Sequence, residues 1–416
     1  MVYRPRIVDA ELTSRLGALG AVLIEGPKAC GKTLTARQVA ASEVLLDVDV
    51  NARQAVSVDP SLVLAGDTPR LVDEWQVEPA IWNHVRREVD ARGAPGQFIL
   101  TGSAVPADDE TRHTGAGRIT RLQMRPMSLF ESGASDGSVS LRDVLAGRPV
   151  RASDPGLTVR DLARAAAVGG WPAFQGLSEE DARLGVRGYL DEIRRVDVNR
   201  VGPARRDPER VRRLLASLAR NVSTYASVKT LAADTGGPDV ALTRETVQEY
   251  LDVLTRLRIV EDQPAWAPHM RSKYALRKMP KRHFVDPSLA VAALEGSPEG
   301  LLEDLEFFGF VFESMVVRDL RVYAQALDGT VLQYRDSDGV EVDAVVQAGD
   351  RWAAFEVKLG AGQVDEAASN LTRFAKRIDT TKRGRPGTLG VITGTGYGYR
   401  RDEDGVIVIP IGALGP

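Results

Sequence analysis

One cysteine in 416 residues cannot close an internal disulfide, so reducing, cytoplasmic surroundings are expected. Histidine is nearly as scarce. His84, His113, His269 and His283 each lack a His or Cys partner at metal-ligand spacing, which argues against a zinc site. An excess of one charge is also missing: 54 Lys and Arg against 57 Asp and Glu give a net charge of −3. With no global field to announce a nucleic-acid or membrane partner, any basic surface must be local. No apolar run approaches the roughly 20 residues that cross a bilayer. Arg4 and Arg6 lead into Asp9 and Glu11 rather than a signal-type core, so a soluble protein with no membrane partner is expected.

What the chain does have is an apolar run, Ala21-Val22-Leu23-Ile24-Glu25, that breaks into Gly26-Pro27-Lys28-Ala29-Cys30-Gly31-Lys32-Thr33. This completes G-x-x-x-x-G-K-[ST] between a strand pattern and a helix pattern. Glycines let successive backbone N–H groups turn inward around an anion, and the following helix presents its positive end. Gly26 to Thr33 is therefore expected to cradle the phosphates of ATP, with Lys32 reaching the β and γ groups and Thr33 placing its hydroxyl on Mg²⁺. A second short strand ends in Asp73-Glu74. Asp73 is assigned to the metal, usually through water, and Glu74 to polarising the attacking water. A third, Gln97 to Leu100, runs into Thr101-Gly102-Ser103, where Thr101 and Ser103 are candidates to sense the γ phosphate. Arg118 is the first choice for a charge-stabilising arginine finger.

At about 150 residues per domain the length calls for two or three domains. Alternating strands and helices over residues 1–160 indicate a parallel sheet with crossovers. Residues 132–160, rich in Gly, Ser, Asp and Pro, read as a variable loop without chemistry. Residues 161–206 read as helical and resemble the lid or connector of P-loop ATPases; Arg194 and Arg195 could reach nucleotide or a neighbouring subunit, but a solvated face is the favoured reading. Residues 207–268 show three amphipathic helices, a strand at Ile259 to Asp262 and a wing at Gln263 to Pro268, the pattern of a winged helix. Thr243, Arg244, Glu245 and Gln248 lie at the exposed start of its third helix. Lys273, Tyr274, Arg277, Lys278, Lys281 and Arg282 then make the best local nucleic-acid footprint, ending on His283-Phe284. Acids on the third helix (Glu245, Glu249, Asp252) oppose DNA contact there.

Residues 269–416 follow the order helix, three strands, helix, strand, with one long helix expected from Leu301 to Ala326. Alternation puts Glu356 and Lys358 on one strand face, and a neighbouring strand can bring Asp343 beside Glu356. Two such carboxylates, with Glu313 from the helix, could share a second divalent metal whose bound water Lys358 would orient.

Gly26–Thr33, Leu71–Gln76, Leu100–Ser103, Gly117-Arg118, Arg125–Glu131, Gly169-Gly170-Trp171-Pro172 and Tyr189–Glu192 together resemble a large bacterial and archaeal family of AAA-like P-loop ATPases. The resemblance implies an α/β P-loop domain that binds and hydrolyses MgATP, a C-terminal region of unknown function, and a homo-oligomer. The C-terminal pattern resembles the PD-(D/E)xK nuclease core, with Val342-Asp343 and Glu356-Val357-Lys358 as its motifs. Asp343 lacks the preceding proline, and Glu341 shares its face. Two functions are thus expected to compete: an ATPase coupled to DNA binding and metal-dependent cleavage, or an ATP-gated DNA- or protein-binding regulator with an inert nuclease-like domain.

Overall fold

The computed structural model describes residues 3–102, 114–201, 206–235, 242–268 and 278–416. Five short strands, β1 (Ala21–Glu25), β2 (Ser42–Leu45), β3 (Arg70–Asp73), β4 (Phe98–Gly102) and β5 (Ile119–Gln123), form a sheet in the order β2-β3-β4-β1-β5. Every pairing is parallel. β1 and β4 are buried throughout, as expected of central parallel strands covered on both faces. One face packs against Trp75, Ile81, Trp82 and Val85, the other against Val8, Leu12, Leu16 and Cys30. β4 separates the phosphate-loop strand from β3, so Asp73 approaches the loop across an intervening strand.

The segment 132–160 is not a loose insertion. β6 (Val139–Ser140) pairs in parallel with β13 (Leu414–Gly415) at the other end of the chain, and Ser135 Oγ donates to the Leu414 carbonyl at 2.7 Å. A second tie joins Thr388 Oγ1 to the Val144 carbonyl at 2.7 Å. A composition rich in turn formers concealed a segment whose work is long-range docking.

Helices Pro208–Arg220, Val228–Asp234 and Arg244–Arg256 form where their apolar spacing requires, capped by Asp207, Ser227 and Thr243. The chain then pairs antiparallel with residues further on through Val260–Phe284 and Gln263–Lys281 bridges. The expected wing does not project freely: Pro264 is exposed, but Gln263 and Trp266 are fully buried. Trp266 N–H donates to the Gln333 carbonyl at 2.6 Å, and its ring lies 4.9 Å from that of Trp352.

In the C-terminal part, β7 (Gly329–Arg335), β8 (Glu341–Ala348), β9 (Arg351–Lys358), β10 (Thr388–Thr393), β11 (Tyr399–Arg400) and β12 (Ile407–Pro410) form a mixed sheet ordered β11-β12-β10-β9-β8-β7. Helix Val364–Ala375 packs on one face beside Trp266 and Trp352. The other face meets helix Leu305–Gln325, which starts later than expected because Asp304 leaves the helical conformation and caps it, ending the short helix Pro298–Glu303.

Candidate functional site

The phosphate loop is shaped by two different demands on glycine. Gly31 has φ +105°, and Ala29, two residues before it, is also left-handed at +59°. At Gly26 the constraint is space, since a Cβ would stand 2.2 Å from the Met124 carbonyl oxygen. Cys30 points away from the loop's mouth into the apolar layer beneath the sheet, and Arg6 Nη1 donates to its carbonyl at 2.8 Å. Lys32 Nζ donates to the Gly26 and Pro27 carbonyls at 3.1 and 2.8 Å, folded back over the cradle.

Thr33 Oγ1 donates to Asp73 Oδ1 at 2.9 Å. Thr101, fully buried on the intervening β4, donates to the same oxygen, so its hydroxyl is spent on orienting the acid. Glu74 takes a left-handed φ of +52° at the end of β3 and accepts a hydrogen bond from Gln76. Ser103 lies outside the described residues. A hydroxyl and a carboxylate at the mouth of an N–H cradle are the oxygen donors that Mg²⁺ prefers, so the residues present suit a magnesium nucleotide.

Arg118 stands elsewhere. It precedes β5, at the end of the sheet opposite the loop, half-buried and paired with Asp90 at 2.8 Å. It does not reach the nucleotide cavity of its own chain. That cavity, 770 Å³, is walled by Lys28, Lys32, Thr33, Asp47, Glu74, Pro172, Asp197, Arg200 and Leu257. Arg194 instead pairs with Asp191 at 2.7 Å. Asp197 and Arg200 were missed because the run Arg194 to Arg200 reads as a solvated face. A π-helical turn, Ile193–Asp197, rotates Asp197 inward, where Oδ1 accepts from Lys28 at 2.5 Å and Oδ2 has no hydrogen-bond partner among the described residues.

A second polar cluster lies in the C-terminal part. Asp343 on β8 faces Glu356 on β9, and Glu313 projects from helix Leu305–Gln325. Lys358 Nζ lies 3.0 Å from Glu356 Oε2 and 4.0 Å from Asp343 Oδ2. The four sequence candidates therefore meet, but the carboxylates do not converge on a metal position. Glu313, Asp343 and Glu341 each lie 2.9 Å from Lys281 Nζ, which occupies the centre of the group. Among the described residues no three His, Cys, Asp or Glu side chains are grouped so that they could hold a metal ion. Burial pushes the Glu313 carboxyl up to about 8 against the pull of Lys281. Burial and the Asp343 charge push Glu356 up to about 8 as well. Asp343 is held below the usual carboxylate range, its burial outweighed by Lys281 and Lys358.

The C-terminal end of the expected nucleic-acid footprint is not open surface. Lys281 is 1% exposed, His283 is buried, and Arg282 pairs with Asp262. Lys273, Tyr274 and Arg277 lie outside the described residues.

Residues 19–132 match the family model of an AAA domain. The match spans the strand, the phosphate loop, Asp73 and Thr101. This stretch is similar to an AAA-type ATPase domain. Beyond it, residues 159–300 and 308–414 match two domains of unknown function, DUF8612 and DUF4143. No curated protein matches the chain. Among solved structures it is similar to the Walker-type ATPase PABY2304 of Pyrococcus abyssi, at 12% identity and a TM-score of 0.35, over 68% of this chain and 94% of that one. The Aeropyrum pernix ORC1 protein in complex with DNA matches at 15% identity and a TM-score of 0.24, over 71% of this chain and 93% of that one. Likenesses this loose bear on neither substrate nor partner. No helix among the described residues is long and apolar enough to cross a membrane.

Proposed function

We propose that the ATPase domain works as a nucleotide-gated switch for a binding module formed by residues 207–284, with the C-terminal region as a nuclease-like platform that does not cut. One observation carries this reading: the nucleotide cavity is walled by the phosphate loop, by Asp197 and Arg200 of the connecting segment, and by Leu257 at the end of the module's third helix. A ligand bound there touches both parts, so occupancy biases how they sit together.

Within the cavity, Lys32 leaves the Gly26 and Pro27 carbonyls for the β and γ phosphates. Thr33 and Asp73 would hold a magnesium ion, whose charge would offset that of the phosphates. Glu74 takes the proton of the attacking water, steadied by Gln76, and Thr101 keeps Asp73 aimed. Three helices followed by two antiparallel segments support a winged-helix topology for the module. The strand order around β8, β9 and β10 supports a nuclease-like core for the platform.

Charge favours a protein partner over DNA for the module. The exposed face of its third helix carries Arg244 and Arg256 against Glu245, Glu249 and Asp252, and acids repel phosphate. The test measures ATP turnover by wild type and Lys32→Ala, then binding of duplex DNA with and without ATP across a salt series. Equal turnover would end the ATPase reading. ATP-dependent DNA binding with a steep salt slope would replace the protein partner with DNA.

A further inference from the structure

Lys281 is the side chain that the proposed switch leaves unused. Its ammonium is enclosed by carboxylates from helix Leu305–Gln325 (Glu313) and strand β8 (Glu341 and Asp343), each at 2.9 Å. The Tyr225 ring centroid lies 5.6 Å from Nζ, within cation–π range. The lysine cannot swing out alone, because its backbone is bridged to Gln263, whose side chain donates to the Leu332 and Asp343 carbonyls at 3.0 and 2.9 Å. Trp266, three residues on from Gln263, is sunk between Tyr334, Trp352 and Phe374.

The remaining donor atoms are equally committed. Asp343 Oδ1 accepts from Lys281, and Oδ2 accepts from the Val357 N–H at 2.9 Å. Glu356 Oε1 accepts from Asn370 at 2.8 Å, and Oε2 pairs with Lys358 at 3.0 Å. A divalent cation requires several oxygens at roughly 2.0–2.6 Å, and here every oxygen of the two motif acids already has a protein partner.

We propose that Lys281 is a built-in replacement for the divalent cation that the Asp343–Glu356–Lys358 arrangement would otherwise recruit. It makes the C-terminal region a metal-independent joint that clamps the bridged segment ending the binding module onto the nuclease-like sheet. Asp343 of the cleavage-like motif is thus retained here, with Glu313 and Glu341, as a counter-charge of one internal ammonium ion, while Glu356 is spent on Lys358.

The experiment titrates Mn²⁺ into the full chain without nucleotide, reading free Mn²⁺ by electron paramagnetic resonance, for wild type, Asp343→Asn, Lys281→Met and Lys281→Met/Asp343→Asn. Leaving ATP out makes the result independent of the ATPase reading, and dependence on Asp343 separates this locus from the phosphate loop. Wild type and Asp343→Asn should take up Mn²⁺ equally, and Mn²⁺ should leave the wild-type melting temperature unchanged. Lys281→Met should gain a site that the double variant lacks. A folded Lys281→Met with no added site overturns the proposal. Should Lys281→Met fail to fold, the wild-type comparison still decides: Mn²⁺ uptake lost in Asp343→Asn, or Mn²⁺-dependent nicking of plasmid DNA lost in Lys358→Ala, overturns it.

Discussion

Arg258, just past the third helix of the middle module, donates to Glu25 at 2.6 Å, and Glu25 is the residue immediately before Gly26 of the phosphate loop. Arg121 shares the same carboxylate. Removing Arg258 leaves Glu25 less neutralised beside a site meant for polyanions. Arg258→Ala should therefore weaken ATP binding by a few-fold, on the order of 1 kcal/mol, with the difference shrinking as salt rises. Isothermal titration at low and high salt checks this, and unchanged affinity at low salt would contradict it.

Thr101 serves Asp73 rather than the substrate in this geometry. Thr101→Val keeps the shape of a fully buried side chain and deletes the donor. ATP turnover should fall roughly 10–100-fold, the usual cost of losing an orienting partner around a metal ligand. Affinity for metal-free nucleotide should stay put. A loss of nucleotide binding with and without Mg²⁺ would instead mean direct contact with the phosphates.

Glu74 and Lys32 should fail in different ways. Glu74→Gln should bind ATP normally and slow turnover by about 10²–10⁴-fold, the range for a lost general base. Lys32→Ala should lose affinity as well, because its ammonium faces phosphate. Binding by fluorescent nucleotide and turnover by phosphate release separate the two patterns, and identical profiles would undo the role assignment.

His283 supplies a pH dependence of stability. Its ring is buried between Ser314 and Gln263, with Arg321 and Lys281 adding positive charge and Glu261 opposing them. Burial, then the two cations, hold its pKa well below the usual histidine value. The unfolded chain thus takes up a proton near pH ~6.5 that the folded chain refuses. Stability from this group is complete above that pH and declines below it, by at most about 1.4 kcal/mol per pH unit. Denaturant midpoints for wild type and His283→Gln should converge as pH falls. Parallel curves would show that the ring does not titrate on unfolding.

Trp266 tests the joint from its apolar side. Trp266→Ala should cost about 3–5 kcal/mol, since a fully buried indole is replaced by a cavity among Tyr334, Trp352 and Phe374. Chemical denaturation measures it. A loss below about 1 kcal/mol would mean that the segment is only loosely seated.

The phosphate loop and the acids after β3 were legible because each depends on residues close in sequence: a strand, a turn with special backbone angles, a helix start. Periodicity likewise determined the helices of the middle module and the succession of helices and strands along the C-terminal part, though not their order in the sheet. Sequence could also pair Asp343, Glu356 and Lys358, since alternation along a strand is a local rule. Tertiary structure alone decided what sits among them. Lys281 reads as one cation in a basic run until antiparallel pairing with Gln263 turns it into the carboxylates. The same holds for Asp197, brought to Lys28 by a π turn, and for residues 132–160, which dock the far end of the chain. Local patterns specify which residues form strands and helices. Which charges neutralise one another depends on contacts between segments far apart in the chain, and no short-range spacing encodes those.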